Sequence, residues 1–196
     1  MVEGYYKNTT RANFTPGETL PRVSTHLDAV RAYQFEVRFY GLPVEVRGSQ
    51  QELTAAAKQV SPIGGTVDDI PIDRVNDKTY IPGKFTPDPV TITFDNQLLN
   101  QNSPALWKWF KSIYDPTTGD MTKFAAPGGP GGASFKANKM TVIELDNTQE
   151  PHSYIEMYGV YPTTVRFSEK NYATNDLATI EVTFRFDFLD YDKYSN

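Results

Sequence analysis

The stretch that decides the fold is Ala178-Thr-Ile-Glu-Val-Thr-Phe-Arg-Phe-Asp-Phe188, in which apolar and polar residues alternate over eleven positions. Successive side chains of a β-strand point to opposite faces, so this pattern predicts a long strand with one buried face. At about 3.3 Å per residue the strand would be roughly 36 Å long, well beyond the usual five or six residues. Its neighbours must be long as well, which is typical of a barrel, a sandwich or the wall of a tube.

The two faces of this strand differ in chemistry. One face carries Ala178 and the apolar residues that follow at every second position up to Phe188. The opposite face is polar, and we expect it to contact water. It comprises Thr179, Glu181, Thr183, Arg185 and Asp187.

Composition limits the class of protein. A chain of 196 residues with 39% hydrophobic and 13% aromatic content is large enough for one sizeable core. It contains no cysteine, which excludes a disulfide framework and a thiolate nucleophile and fits assembly in a reducing cytoplasm. The net charge is −5 and the basic residues are scattered, so a surface for gripping nucleic acid is not expected. No signal pattern or long apolar run is present, so we expect neither export by that route nor a membrane segment.

Turn residues and hydrophobic periods predict six or seven strands and one helix, an α+β arrangement dominated by antiparallel sheet. Residues 67–72 contain Pro71, which indicates an edge, a bulge or a loop, and Pro82-Gly83 indicates a turn. Residues 146–151 are predicted to connect a hairpin. Besides the last strand, the predicted strands cover residues 33–40, 53–60, 90–96, 139–145 and 153–158.

The one predicted helix follows residue 102. Ser103 is a candidate N-cap, Pro104 suits the first helical position, and Asp115-Pro116 ends the pattern. Trp109 lies in the apolar stripe of this helix and is predicted to belong to the core. Trp107 allows two interpretations, packing against neighbours or a platform for a sugar ring.

The chain is predicted to have an N-terminal arm over residues 1–30 and a single domain over residues 31–196. The domain contains a loop at about residues 117–138 that is rich in glycine and proline. No Gly-Lys-Ser/Thr follows it, so a contact loop is favoured over a phosphate cradle. The candidate contact residues are Pro127, Gly128, Gly129, Pro130, Gly131 and Gly132.

Enzymatic interpretations find little support. His26 and His152 have no acidic or histidine neighbours at metal-ligand spacing, and the adjacent Asp68 and Asp69 point to opposite faces of an extended chain. We find no set of nucleophile, base and orienting group. The sequence therefore predicts no catalytic site, cofactor or metal.

From Tyr33 onward the sequence resembles the tail tube proteins of contractile-tailed bacteriophages, a superfamily that includes the inner-tube proteins of type VI secretion. The shared features begin with Tyr-Gln-Phe-Glu-Val at residues 33–37 and Val60-Ser61-Pro62. They continue with Pro82-Gly83 before a Val-Thr-Ile-Thr-Phe strand and with a helix that bears tryptophan. The most specific part is Tyr-Gly-Val-Tyr-Pro-Thr-Thr-Val at residues 158–165, followed by the terminal strand.

This resemblance implies a tail-tube-type β-barrel or sandwich with one flanking helix. In that family six subunits join their sheets into one continuous barrel, and the rings stack inside a contractile sheath. The implied partners are further copies of the chain, the tail sheath protein, and baseplate and tape-measure proteins. The resemblance also implies assembly in the host cytoplasm, a place in the virion tail, and a lumen through which DNA passes without specific binding.

The resemblance assigns candidate roles to two groups of residues. The polar residues from Thr179 to Asp187 are candidates for the lumen lining, although an outward orientation is equally compatible with the pattern. Residues 127–132 are candidates for contact with the next ring or with the sheath.

Two alternatives remain. Tube initiators of the baseplate and tube terminators of the neck share the fold, but the single-domain length favours the repeating subunit. In a different class, the chain would be a monomeric β-sandwich module that binds carbohydrate through Trp107 and its tyrosines.

Overall fold

The structure is a computed structural model that describes residues 30–99, 102–121, 135–146, 148–173 and 175–194. Apart from Val30, the predicted N-terminal arm lies outside these ranges, as do the candidate contact residues 127–132. The described ranges form nine strands, all paired antiparallel, and two α-helices. The predicted α+β class is confirmed, whereas the prediction of a single helix is wrong.

The elements follow one another along the chain in a simple order. They are β1 (Phe35–Tyr40), α1 (Gln50–Ala56), β2 (Ala57–Val60), β3 (Gly65–Asp73), β4 (Lys78–Pro87), β5 (Val90–Asp95), α2 (Asn102–Ile113), β6 (Ala137–Leu145), β7 (Pro151–Phe167), β8 (Thr179–Arg185) and β9 (Phe188–Lys193). Neither helix of these ranges is long and apolar enough to cross a membrane.

Strand β7 belongs to two layers of one sheet. Its first half pairs with β6 and β9, and β6 pairs in turn with β1. Its second half pairs with β8, which pairs with β5 and then β2. We name β1, β6, β9 and the first half of β7 the first layer, and the second half of β7 with β8, β5 and β2 the second layer.

Aromatic side chains from both layers meet in the core. Phe39 of β1 contacts Phe94 of β5 and Phe184 of β8 with ring centroids 6.4 and 6.0 Å apart. Trp109 of α2 is fully buried against Phe184 at 5.5 Å, and its indole N–H donates to the carbonyl of Phe135 over 2.8 Å. The prediction that Trp109 belongs to the core is confirmed.

Residues 53–60, predicted as a strand, begin as a helix. The buried residues Leu53 and Ala56 are three positions apart, which is a helical spacing, and alanine is the strongest helix former. Only Ala57–Val60 is a strand. The apolar run was too short for its period to be identified.

The Pro82-Gly83 pair forms a bulge rather than a turn. Asp69 pairs with Pro82 and Val67 with Phe85, so Asp68 faces two residues of β4. A Cβ atom on Gly83 would lie 2.9 Å from the carbonyl oxygen of Asp68, which explains the glycine. The turn of this hairpin lies at residues 74–77, and residues 67–72 belong to β3, which carries Pro71 in a ribbon of only two strands.

The long terminal strand is interrupted at Phe186 and Asp187. The predicted alternation holds up to Phe186, which is buried, but Phe188 is 69% exposed instead of lying on the core face. The next residue to pack against the core is Leu189, three positions after Phe186. The set of alternate residues that points to the core therefore shifts by one position between β8 and β9.

Strand β7, which pairs with β8 and β9, shows the same shift of its core-facing residues at the position opposite. Met157 and Val160 of β7 are both buried and are also three positions apart, and between them Gly159 has a φ of +68°. Asp187 lies directly opposite, and its N–H donates to the carbonyl of Tyr158 over 2.8 Å. The irregularities at Gly159 and at Asp187 lie opposite each other, and together they form the bend between the first and the second layer. A strictly alternating sequence pattern does not predict this bend.

The boundaries of α2 and of the hairpin also differ in detail from expectation. Ser103 lies inside the helix rather than at its cap, and its hydroxyl donates to the side-chain oxygen of Asn96 over 2.5 Å. The connection at residues 146–151 is confirmed, because a carboxylate oxygen of Asp146 accepts hydrogen bonds from the N–H groups of Thr148 and Glu150.

Candidate functional site

The polar face of the second layer contains four of the five predicted residues. Along β8, Ile180, Val182 and Phe184 are buried. The intervening residues point away from the core, as the alternation predicts. They are Thr179, Glu181, Thr183 and Arg185. Whether this polar face lines a lumen stays a prediction.

Neighbouring strands continue the polar face on both sides. Glu181 lies between Thr93 of β5 and Arg166 of β7 in the strand register. Thr183 lies between Thr91 and Thr164, and its hydroxyl is 3.1 Å from that of Thr91. Threonine hydroxyls and paired charges therefore cover this side of the sheet.

Charges of both signs occur on the polar face. Besides Glu181 and its neighbour Arg166, the face carries Asp95, whose carboxylate is 3.3 Å from the ammonium of Lys58. Arg185 adds a further positive charge at the end of β8. The charges named here are three positive and two negative, so the described part of the face is mixed in sign rather than strongly acidic.

Asp187, the fifth predicted residue, has a different environment. Both of its carboxylate oxygens accept hydrogen bonds from the Lys136 ammonium, over 2.8 and 2.7 Å. A Cβ atom on Gly159 would collide with one of these oxygens. Asp187 thus belongs to the irregularity between the layers and not to the polar face.

The second layer ends in two open edges. Ser168 donates its N–H to Thr179, which fixes the register of β7 against β8. In that register the backbone groups of Val165 and Phe167 point away from β8. On β2, Ser61 donates to Thr91, so the backbone groups of Val60 point away from β5. Within the described ranges no strand pairs with either edge.

The β3–β4 hairpin, which we name the ribbon, exposes a large apolar surface. Every residue of β3 is exposed, and so is every residue of β4 except Gly83 and Pro87. The exposed apolar side chains are Val67, Ile70, Ile72, Tyr80, Ile81 and Phe85. A ribbon of two strands is marginally stable by itself in water, so this surface is suited to burial against a partner. The sequence pattern does not predict this surface, because Pro71 and the bulge interrupt the alternation of β3 and β4.

A second, partly exposed apolar surface, which we name the aromatic stripe, consists of Trp107 and Phe110 of α2, Tyr114 directly after α2, and Phe167 of β7. Trp107 stacks on Phe110 with ring centroids 5.6 Å apart and lies 6.1 Å from Phe167. Trp107 and Phe167 are 38% and 49% exposed. Of the two interpretations of Trp107, these contacts favour packing, because a sugar platform requires an open ring face.

The outer face of the first layer carries a hydrogen-bonded network instead of open groups. The Lys139 ammonium is 2.6 Å from the Glu156 carboxylate, which also accepts a hydrogen bond from Tyr158. Lys139 lies 5.1 Å from the ring centroid of Tyr40. Burial disfavours ionisation of Glu156, but the hydrogen bonds outweigh it and hold the pKa of Glu156 below its ordinary value. This network is suited to stabilising the sheet.

Comparison with known proteins gives structural matches only. No protein-family model matches the sequence, and no curated protein matches it significantly. A chain from the sheath–tube complex of the PVC extracellular contractile injection system in its extended state matches with a TM-score of 0.63 and 15% identity, over 90% of this chain and 100% of that one.

Two further matches come from the anti-feeding prophage. One is its tube-terminating cap, with a TM-score of 0.63 and 12% identity over 93% of this chain and 99% of that one. The other is its baseplate, with a TM-score of 0.61 and 9% identity over 89% and 97%. The chain shares its fold with these chains of contractile injection systems, which confirms the predicted resemblance at the level of the fold.

Proposed function

We propose that this chain is the repeating subunit of the inner tube of a contractile phage tail, six copies of which form a ring that stacks into a tube inside the sheath. The observation that carries this proposal is the second layer. It has four strands, a polar face that points away from the core of the subunit, an apolar face that packs on the core, and two open edges. Open edges invite pairing with another strand, and closure into a barrel removes them.

The dimensions suit a conduit. Six copies of four strands make a barrel of 24 strands when β2 of one copy pairs with the second half of β7 of the next. With strands about 4.8 Å apart and tilted by about 40°, such a barrel is roughly 50 Å across between opposite backbones. Side chains on the polar face reduce the hole to about 40 Å. The polar face then contacts water in the lumen.

The charges fit passage without adhesion. Six subunits carry six times −5, or −30, in total. On the polar face three cations alternate with two carboxylates, so the cations are not clustered as in a surface that grips the phosphates of DNA. The role is structural and not enzymatic, in a virion tail assembled in the host cytoplasm. Its partners are further copies of the chain, the sheath protein, and baseplate and tape-measure proteins.

The alternatives predict different behaviour in solution. A tube initiator or terminator is supported by the matches to a baseplate and a cap, and it would form a ring that does not extend into a tube. A carbohydrate-binding module would remain monomeric and would be stabilised by its sugar.

Replacement of Phe167 by lysine tests the proposal. A charge at an open strand edge opposes pairing, so Phe167→Lys should remain folded but form no rings at concentrations at which the unmodified protein assembles. The control is Tyr172→Lys, which places the same charge on a fully exposed side chain in the connection between β7 and β8, outside the paired strands. Ring formation by both variants, seen by negative-stain electron microscopy, would contradict pairing through this edge.

A further inference from the structure

We infer that within the ring the ribbon of one copy covers the aromatic stripe of its neighbour. This inference rests on the proposed function and names the two surfaces through which neighbouring subunits hold each other. It commits to a second copy of this chain in the same ring as the occupant of both surfaces.

Both surfaces lack cover in the described chain. The ribbon exposes Ile70 and Tyr80 by 54% and 61%. The aromatic stripe exposes two large rings next to each other, those of Trp107 and Phe167. Burying apolar surface contributes roughly 25 cal/mol per Å², so mutual cover of the two surfaces would stabilise the ring.

Chain connectivity brings the two surfaces together when the open edges pair. Phe167 belongs to the aromatic stripe, and its backbone lies on the open edge of β7 that β2 of the neighbour would join. The ribbon begins at Gly65, only four residues after β2 ends at Val60. Four extended residues span at most about 14 Å. The ribbon of the neighbour therefore starts close to the strand that joins this edge.

Charges next to the two surfaces are complementary. Asp68 and Asp69 lie on the ribbon and form no ion pair within the described ranges. Lys108 of α2 is exposed beside the stripe, next to Trp107, and likewise forms no ion pair there. Opposite charges at the rim of an interface favour the correct register of the two surfaces.

Cross-linking between two single-cysteine variants tests the inference. The chain has no cysteine of its own, so each introduced thiol is unique. Thr79→Cys labels the ribbon and Lys108→Cys labels the helix beside the stripe, and both changes leave the apolar residues intact. The two variants are mixed, allowed to form rings, treated with a short bis-maleimide and separated by mass. The control replaces the ribbon variant with Asp190→Cys, an exposed position on β9.

The inference predicts a covalent dimer of Thr79→Cys with Lys108→Cys in isolated rings, and none with the control. Rings that form without this dimer would overturn the inference and leave the proposed function standing. A dimer that appears in stacked tubes but not in isolated rings would also overturn it, because the ribbon would then bridge successive rings. If the unmodified protein forms no rings at any concentration, even with tail baseplates added to nucleate assembly, both the proposed function and this inference fail.

Discussion

Gly159 permits the backbone bend that joins the first layer to the second. It adopts a φ of +68°, and a side chain there would collide with the carboxylate of Asp187. Asp187 is held by Lys136 and by the carbonyl of Tyr158. The position is thus constrained both by its backbone angle and by its neighbour, which explains why the turn between the layers contains glycine.

We predict that Gly159→Ala lowers the free energy of unfolding by about 1–3 kcal/mol, the usual cost of a side chain in a strained backbone region. The matched control is Gly64→Ala, where a Cβ atom meets nothing within 4 Å and φ is not positive. Urea unfolding of both variants measures the difference. Equal stabilities would show that the turn between the layers tolerates a side chain.

The two tryptophans should differ strongly in their contribution to stability. Trp109 fills the centre of the core, so Trp109→Ala should cost about 3–5 kcal/mol. Trp107→Ala removes a partly exposed ring and should cost about 1 kcal/mol or less in the isolated subunit. Comparable losses in urea unfolding would contradict the placement of Trp109 in the core and of Trp107 in the aromatic stripe.

The Lys139–Glu156 network makes stability depend on pH. The pKa of Glu156 is lower in the folded chain than in the unfolded chain, so its contribution is present above the unfolded pKa and is lost as the pH falls through the folded one. Glu156→Gln should therefore be about 1–3 kcal/mol less stable at about pH 7, and this difference should vanish at about pH 2. A difference that stays constant across this range would contradict the assigned role.

At the scale of elements, the sequence predicts regular patterns well and interruptions poorly. The alternation along β8 and the helical period of α2 correctly placed Ile180 and Trp109 in the core. The face change at Phe186 was missed, because it depends on a matching change at Gly159 some thirty positions earlier in the chain. Helix α1 was mistaken for a strand because it contributes only two buried residues.

The open edges of the second layer and the exposure of the ribbon were beyond the reach of sequence reasoning. Periodicity shows which face of a strand a residue lies on, but strand order and register decide which edge of the sheet stays unpaired. Pro71 is consistent with an edge, yet it does not reveal that β3 pairs with β4 alone. The lumen-facing role of the polar face and the contact role of residues 127–132 remain predictions.

The ribbon should matter for assembly and not for the stability of the subunit. The double change Ile70→Ser with Ile81→Ser removes two exposed apolar side chains, so the free energy of unfolding of the isolated subunit should change by about 0.5 kcal/mol or less per site. Ring formation should nevertheless require a higher protein concentration. Mass photometry over a dilution series measures this shift, and unchanged assembly would contradict a role for the ribbon.

At the scale of the whole molecule, the isolated subunit leaves several surfaces incomplete. Two strand edges, an apolar ribbon and an aromatic stripe are exposed on one chain of 196 residues. Soluble monomers rarely expose contiguous apolar patches of this kind, whereas a subunit that joins copies of itself head to tail buries them in a closed ring. In the proposed ring, the polar face is the surface predicted to remain in contact with water.

The most direct test of the proposed function is electron microscopy of the purified protein over a concentration series. We predict rings with six-fold symmetry and a central hole of about 40 Å, the size expected for a barrel of 24 strands, and stacks of these rings at higher concentration. A protein that remains monomeric at every concentration, even when tail baseplates are added to nucleate the tube, would contradict the account.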